Sequence, residues 1–396
     1  MVDDDGGPGV DFTSLQEALD AASGGDTVLV KEGSYLTLRV VGKSLDVVAE
    51  AGAQVDVSLG LNPGAGGGLY ALEVRDLGPS DSVTVRGFTF RPTFLAFANA
   101  ALVEDNLGSV WIEDCHFTDG TFFGSFNTGL VIRDSASVVL ARCALDSSPC
   151  GFLNCMVARA ENSHVAIYDS ALQGGDGVDD SGPLSPASSG GPGFELDGGT
   201  LFAAGTLFQG GEGGDMDTFN CAADGNHGLV VSGGGLVRHR DCVFAPGAAG
   251  IGDSPSCEPT VPGLPIQLVD GTALALPGSA RGLAVSSPVR EGEDLVETFT
   301  GEPGDLVFLG FSPAPAAAAF LQPFLGDLVL GAPLLVTFKG QLPASGTLAS
   351  NVAIGELAPA TVAASLFFQA VHLDPLLAGF LSGPSHAELL DATAAP

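Results

Sequence analysis

The 396-residue sequence predicts an all-β chain, a right-handed parallel β-helix followed by an antiparallel β-sandwich, on three observations. First, one pattern recurs as SVTVRGFTF from Ser82, SVWIEDCHF from Ser109, SVVLARCAL from Ser137, HVAIYDSAL from His164, TLFAAGTLF from Thr200 and VRHRDCVF from Val237. With Val83, Val110, Val138, Val165, Leu201 and Val237 equivalent, the steps are 27, 28, 27, 36 and 36 residues. Second, apolar residues alternate with period two over about three short strands per repeat, and no helix-period segment joins them. Third, from Leu283 the repeat gives way to alternating strands broken by Pro/Gly turns, the pattern of an antiparallel sandwich.

In chain order, DFTSLQEALDAASGGDTVLVKEGSY predicts an amphipathic helix with Leu15, Ala18, Leu19 and Ala22 on one face, capped by Thr13 or Ser14, and a first strand after it. The first strand of each later repeat is read from ALEVRD, ALVEDN, GLVIRD, MVARAEN, GFELDGG and GLVVSGG. Its inward column is expected at Leu72, Leu102, Leu130, Val157, Phe194 and Leu229. The second strand's column is Val85, Ile112, Leu140, Ile167, Ala203 and His239, and the third's is Phe90, Phe117, Leu145, Leu172, Phe208 and Phe244. Asp76, Asn106, Asp134 and Glu161 are expected to bond the backbone of a tight turn between the first two strands. A repeat this short cannot bury its own apolar face, so successive repeats must stack over one core, expected from Val28 to about Phe244. The Pro/Gly/Ser-rich stretch 245–265 closes it, with PIQLVDGTALALPG adding one or two strands. The expected division is therefore 1–265 for the β-helix and 266–396 for the sandwich.

The helix leading into GGDTVLVKEGSY and the strand pair LTLRVVGKSLDVVAE resembles the opening of the pectate-lyase-like superfamily of right-handed β-helices, over roughly residues 10–250. That resemblance implies a capping helix on the first rung. It also implies a site on the outer face of the first strand of each repeat and on the loops leading into it, 91–100, 118–128, 146–155, 173–192 and 209–227. The C-terminal part resembles the small module of many secreted bacterial proteins, which implies an attachment or stability unit.

Composition narrows the partners. Forty-seven acidic against 14 basic residues give a net charge of −33, a field that repels phosphate and anionic lipid, so neither nucleic acid nor a membrane surface is an expected partner. The apolar region 313–338 is broken by prolines, glycines and Asp327 and does not read as a membrane span. The start MVDDDGGPG lacks a signal-peptide core and is read as a mature numbering in which Met1 replaces a removed signal. Cys115, Cys143 and Cys242 share an inward column with Phe88, Ser170 and Thr206. Adjacent rungs set Cys115 and Cys143 about 4.8 Å apart, as a disulfide or as two thiols. Cys150 with Cys155 is the expected loop disulfide, and Cys221 with Cys257 a second. No CxxC pair has metal spacing, which argues against a structural zinc site, and loop disulfides point to an extracellular or cell-surface setting.

Two loops are about twice as long as the rest. They carry Asp176, Asp179, Asp180, Asp215, Asp217 and Asp224 on Gly-rich backbone, which reads either as a Ca²⁺ site or as solvated acidic loops. For catalysis, the outward columns are expected to read Glu73, Val103, Val131, Ala158, Glu195, Val230 and Arg75, Asp105, Arg133, Ala160, Asp197, Ser232. Glu195 and Asp197 share a strand face beside both long loops and are the best pair for glycoside hydrolysis, which needs carboxyls about 5 to 9 Å apart. The superfamily's lyases imply a proton-abstracting base, for which Arg159, Arg238 and His227 are the available groups. Arg75, Asp105 and Arg133 read as an ion-pair ladder, and the nominally inward Glu104 and Arg159 as a local shift of register. The six histidines form no HxH or HExxH group, so no transition-metal site is expected, and His239 reads as a core residue. The favoured function is an exported β-helix presenting a face to an extracellular polysaccharide or cell-surface polymer. A polysaccharide lyase or glycoside hydrolase, Ca-dependent or not, and a self-assembling filament or coat subunit stay open.

Overall fold

The computed structural model describes residues 1–7, 9–59, 70–91, 99–118, 129–147, 149, 156–179, 187–216, 221–252, 257–359 and 361–392. Among these, three parallel sheets of nine, eight and eight strands run side by side. Sheet 1 extends from Asp26–Val30 to Thr272–Ala275, sheet 2 from Gly33–Leu36 to Val243–Ala245, and sheet 3 from Leu38–Val41 to Ile266–Leu268. Each turn of the chain adds one strand to each sheet, as Tyr70–Arg75, Ser82–Arg86 and Phe88–Arg91 do in succession. This is a parallel β-helix, and Ile266–Leu268 and Thr272–Ala275 pair in register with it.

The core is a set of columns with one residue per rung, spaced by the distance between hydrogen-bonded strands, about 4.8 Å. On sheet 1, Val85, Ile112, Leu140, Ile167, Ala203 and His239 stand in register, and on sheet 2 so do Phe90, Phe117, Leu145, Leu172, Phe208 and Phe244. Rings stack within the second column, Phe90 on Phe117 at 5.0 Å and Phe208 on Phe244 at 5.2 Å. Both columns match expectation.

Sheet 3 corrects two rungs by one residue. Leu72, Ala101, Leu130, Ala158, Phe194 and Leu229 form the inward column, so Leu102 points outward and Val157 precedes its strand. The cause is electrostatic. The expected register would have turned Glu104 and Arg159 into the apolar interior, where an unpaired charge costs several kcal/mol, whereas the shift puts Val103, Ala158 and Ala160 inside. The turn column moves with it: Asp76, Asp105, Asp134 and Asn162 take left-handed backbone at φ 60°, 56°, 44° and 46°, in place of the expected Asn106 and Glu161. Asn106 lies one position on, fully buried. It accepts from the Leu77 amide and donates to the Val74 carbonyl and the Ser135 hydroxyl.

The helix Leu15–Ala21 closes the first rung with Leu15, Ala18 and Leu19, and the Ser14 hydroxyl accepts from the Glu17 amide. Cys115 and Cys143 are buried free thiols, and burial pushes the Cys143 thiol up to about 12. Cys221 and Cys257 are joined by a disulfide, while Cys150 and Cys155 lie outside the described residues.

The C-terminal part has two sheets around a core of its own, and a third of two strands, Pro315–Phe320 and Asp327–Leu330. Gly282–Val285, Asp294–Thr300 and Thr347–Ala353 make one, and a five-stranded sheet containing Leu306–Ser312, Ala363–Leu373 and Gly379–Leu390 makes the other. Phe299 and Leu295 from the first meet Leu309, Phe368 and Ala370 from the second. This module lies on the outer face of sheet 1. Trp111, Val139, Ala166, Tyr168 and Phe202 of the solenoid form one apolar cluster with Ala318, Val329, Leu330 and Phe367, and Trp111 meets Phe367 edge-on at 5.1 Å. At its centre the Glu113 carboxylate, fully buried, accepts from Trp111 Nε1 at 2.8 Å, Ser385 Oγ at 2.7 Å and the His386 amide at 2.8 Å. Arg86 and Arg142 neutralise it and donate onward to the Val285 and Leu283 carbonyls.

Glu113→Ala would leave Arg86 and Arg142 with Asp114, at 2.9 and 2.8 Å, as their one carboxylate among the described residues, and would strip Trp111, Ser385 and the His386 amide of their acceptor. It is expected to cost about 3–5 kcal/mol, read as an earlier, separate unfolding step of the module in a urea titration followed by Trp111 fluorescence. An unchanged transition would remove Glu113 as the lock. His372 gives a pH signature. Burial, then Arg281 and Arg240, lower its pKa to about 3. The unfolded chain binds the proton near 6.5, so stability is complete above that pH and is lost as pH falls from about 6.5 towards 3, by up to about 1.4 kcal/mol per unit. Melting temperatures across that window should fall less steeply in His372→Phe.

Candidate functional site

Because the module covers sheet 1, the outer face of sheet 3 is where outward charges of successive rungs line up. Strand geometry sends alternate residues to that face. Its first column reads Arg39, Glu73, Leu102, Val131, Arg159, Glu195 and Val230, and its second reads Val41, Arg75, Glu104, Arg133, Glu161, Asp197 and Ser232. Val103, Ala158 and Ala160, expected here, are buried inside instead, and Asp105 occupies the turn. The ladder therefore alternates as Arg75, Glu104, Arg133, Glu161. Arg133 Nε lies 3.3 Å from Glu161 and Nη1 lies 3.8 Å from Glu104, while Arg39 and Arg75 flank Glu73 at 3.2 and 3.1 Å.

Arg159, shifted outward, organises the best-defined part of the row. Its guanidinium lies 2.9 Å from Glu161, 3.3 Å from Asp197 and 3.9 Å from Glu195. The structure thus brings Glu195 and Asp197 together around one arginine. Asp197 also accepts from the Ser232 hydroxyl at 3.1 Å, whereas among the described residues Glu195 has only the long contact. Desolvation by burial raises the Glu195 pKa, against the pull of Arg159 and with the push of Asp197 and Glu161. Chemically, the group offers a guanidinium and three carboxylates on two neighbouring rungs, able to donate to and accept from a row of hydroxyls.

The other two candidate bases are engaged elsewhere. The Arg238 guanidinium sits over the Phe320 ring of the module at 4.7 Å, and His227 Nδ1 accepts from the Leu264 amide at 2.8 Å.

The described parts of the long insertions are hydrogen-bonded backbone rather than slack loop. Gly174 and Gly177 donate to the Gln209 and Glu212 carbonyls, and Gly210, Gly213 and Met216 donate to those of Ala245, Ala248 and Ile251. Gly211 and Gly214 turn instead to Gly191 and Ser188 on the returning segment. A three-residue spacing of donors to each neighbour is the repeat of an extended polyproline-II helix, so these segments pack as a bundle of such helices. Glycine is needed because the chains nearly touch: a Cβ on Gly177 would lie 1.7 Å from the Ser188 carbonyl oxygen, and one on Gly211 would lie 2.0 Å from that of Gly175. The Cys221–Cys257 disulfide links two turns of the same bundle, 36 residues apart.

Within it, each described aspartate caps the next turn. Asp176 accepts from the Glu212 amide, Asp179 from Asp215, Asp215 from Ile251 and Asp224 from Val261, at 2.9, 2.9, 2.6 and 2.8 Å. Asp180 and Asp217 lie outside the described residues. Among the described residues, Asp176, Asp179 and Asp215 do not converge as a set of three ligands. What the sequence reading missed was the three-residue spacing of glycines, whose signal was present in GGDG and GGEGG.

No family model matches the chain, and no curated protein matches it. Among solved structures, pectate lyase Pel9A aligns at 12% identity and a TM-score of 0.35, covering 66% of this chain and 73% of its own. The enzymatically active domain of bacteriophage CBA120 tailspike protein 2 aligns at 10% identity and 0.30, over 98% of this chain and 75% of its own. The superoxide reductase of Ignicoccus hospitalis aligns at 11% and 0.16, over 28% and 80%. The fold itself stands on the three parallel sheets. Among the described residues no helix is long and apolar enough to cross a membrane.

The aspartate caps generate a prediction of their own. If the insertions hold Ca²⁺, millimolar CaCl₂ should raise the melting temperature over EDTA by the linkage relation, and Asp179→Asn/Asp215→Asn should abolish the rise. If the carboxylates only cap amides, the double variant should melt lower in both buffers with no calcium dependence in either protein.

Proposed function

We propose that the chain is an exported protein that binds an extracellular polysaccharide or cell-surface polymer along the outer face of sheet 3. One observation carries the reading: the module buries the outer face of sheet 1, while sheet 3 keeps Arg159, Glu161, Glu195 and Asp197 partly exposed in a row along the stack. A polymer lying along that axis would meet a new rung about every 4.8 Å, close to the length of one sugar unit. The net charge of −33 favours a neutral polymer, or an acidic one bridged by a cation. The disulfide Cys221–Cys257 supports an oxidising, extracellular setting.

A second reading rests on Glu195. A carboxyl with raised pKa beside Asp197 is the pairing a glycoside hydrolase uses, one group as acid and the other as base or nucleophile. Against it, Arg159 and Ser232 already engage Asp197.

A polysaccharide panel assayed for binding, for new reducing ends and for unsaturated products separates these readings. Binding without product, weakened about tenfold or more by Arg159→Ala, is the expected outcome. New reducing ends lost in both Glu195→Gln and Asp197→Asn would replace the binding reading with hydrolysis. Failure of every polymer to bind, together with concentration-dependent growth in light scattering, would replace it with a self-assembling subunit.

A further inference from the structure

At the seam between the first rungs of sheet 1 and the C-terminal module, three ligand-type side chains meet. Asp46 projects from Leu45–Ala49, next to Thr27 in register, and His386 and Glu388 project from Gly379–Leu390. One ligand atom from each lies within 4.8 Å of the others. His386 and Glu388 are two apart on one strand, so they share a face, and both are fully buried.

Two features of the cluster are unexplained by the protein alone. The His386 ring is sealed from solvent, yet neither of its nitrogens has a hydrogen-bond partner among the described residues, and Nε2 faces Glu388 Oε2 at 3.6 Å, too far for such a bond. The carboxylates also lack a cation: among the described residues no lysine or arginine pairs with Asp46 or Glu388. The Ser365 hydroxyl, which owns one proton, stands 2.5 Å from Asp46 Oδ2 and 2.6 Å from Glu388 Oε2. With both carboxylates ionised, one of these two contacts has no hydrogen in it. The point calls for a cation or an extra proton, and the imidazole Nε2 faces the same place.

We propose that Asp46, His386 and Glu388 bind a divalent first-row transition metal ion of the zinc class, which joins the solenoid to the module. A histidine nitrogen with two carboxylate oxygens is a donor set such ions accept. Bonds of about 2.0–2.1 Å at tetrahedral angles set neighbouring ligand atoms about 3.4 Å apart, close to the 3.6 Å found between Nε2 and Oε2. The outer contacts are in place as well. The Thr27 hydroxyl donates to Glu388 Oε1 at 2.7 Å, and Ser365 orients both carboxylates, as the hydrogen-bonded surroundings of metal-binding carboxylates do. Because Asp46 comes from the solenoid and the other two from the module, the ion would act as a cross-link between them. This site lies apart from both the sheet 3 row and the aspartate caps.

The test uses the full chain, stripped with a chelator and titrated with Zn²⁺ in competition with a chromophoric chelator and, separately, with Co²⁺. One equivalent of either ion is expected, with the visible absorption of low-symmetry Co²⁺, a rise in melting temperature over the stripped chain, and affinity about tenfold or more weaker in Asp46→Asn and in Glu388→Gln. Asp179→Asn/Asp215→Asn should bind as the natural chain does. The absence of a bound equivalent in the stripped natural chain would overturn the proposal and leave a shared proton as the missing charge. This result needs no variant to fold. Unchanged affinity in both carboxylate variants would overturn it equally, by placing the ion elsewhere.

Discussion

Each position in the solenoid is confined by the position beneath it. Parallel strands about 4.8 Å apart put equivalent residues into columns, so an apolar, polar or glycine choice in one rung constrains the same choice in the next. The inward columns of valine, leucine and phenylalanine follow from that constraint, as do the left-handed aspartates at the turns and the alternating charges outside. It also explains why the register at Glu104 and Arg159 yields: moving a strand by one residue costs little in a turn, whereas holding two unpaired charges inside would cost the rung.

The same constraint governs the insertions in a different form. A three-residue helix cannot alternate sides as a strand does, so it presents one residue in three to each neighbour. Glycine at those places lets the segments pack nearly in contact, and the aspartates supply acceptors to amides the spacing leaves over. Acidic residues that suggest a cation in isolation thus have structural work within the bundle, and the calcium melting curve separates the two roles.

The module changes what the solenoid offers. By taking Trp111, Val139, Tyr168 and Phe202 out of solvent, it removes a broad apolar face that would otherwise invite association. At the seam Glu113 is matched by two arginines, whereas among the described residues no lysine or arginine pairs with Asp46 or Glu388. The contrast between those neighbouring clusters is the basis for assigning an ion to the second.

Much of the architecture was legible in the residues, because period-two alternation and the 27- to 36-residue step are local properties that any stacked solution must satisfy. The helix cap at Ser14, the sheet 1 and sheet 2 columns, the Cys221–Cys257 disulfide and the strand-face pairing of Glu195 with Asp197 could all be read in this way. The charges at Glu104 and Arg159 likewise signalled the shift of register that Ala101 and Ala158 show. Two things could not be read, and the first is the glycine bundle, which depended on contacts between segments about 35 residues apart. The docking of the module brought Asp46 to His386 and Glu113 to Ser385 across 340 and 272 residues, distances over which sequence spacing carries no signal and only the packed surfaces decide the partner.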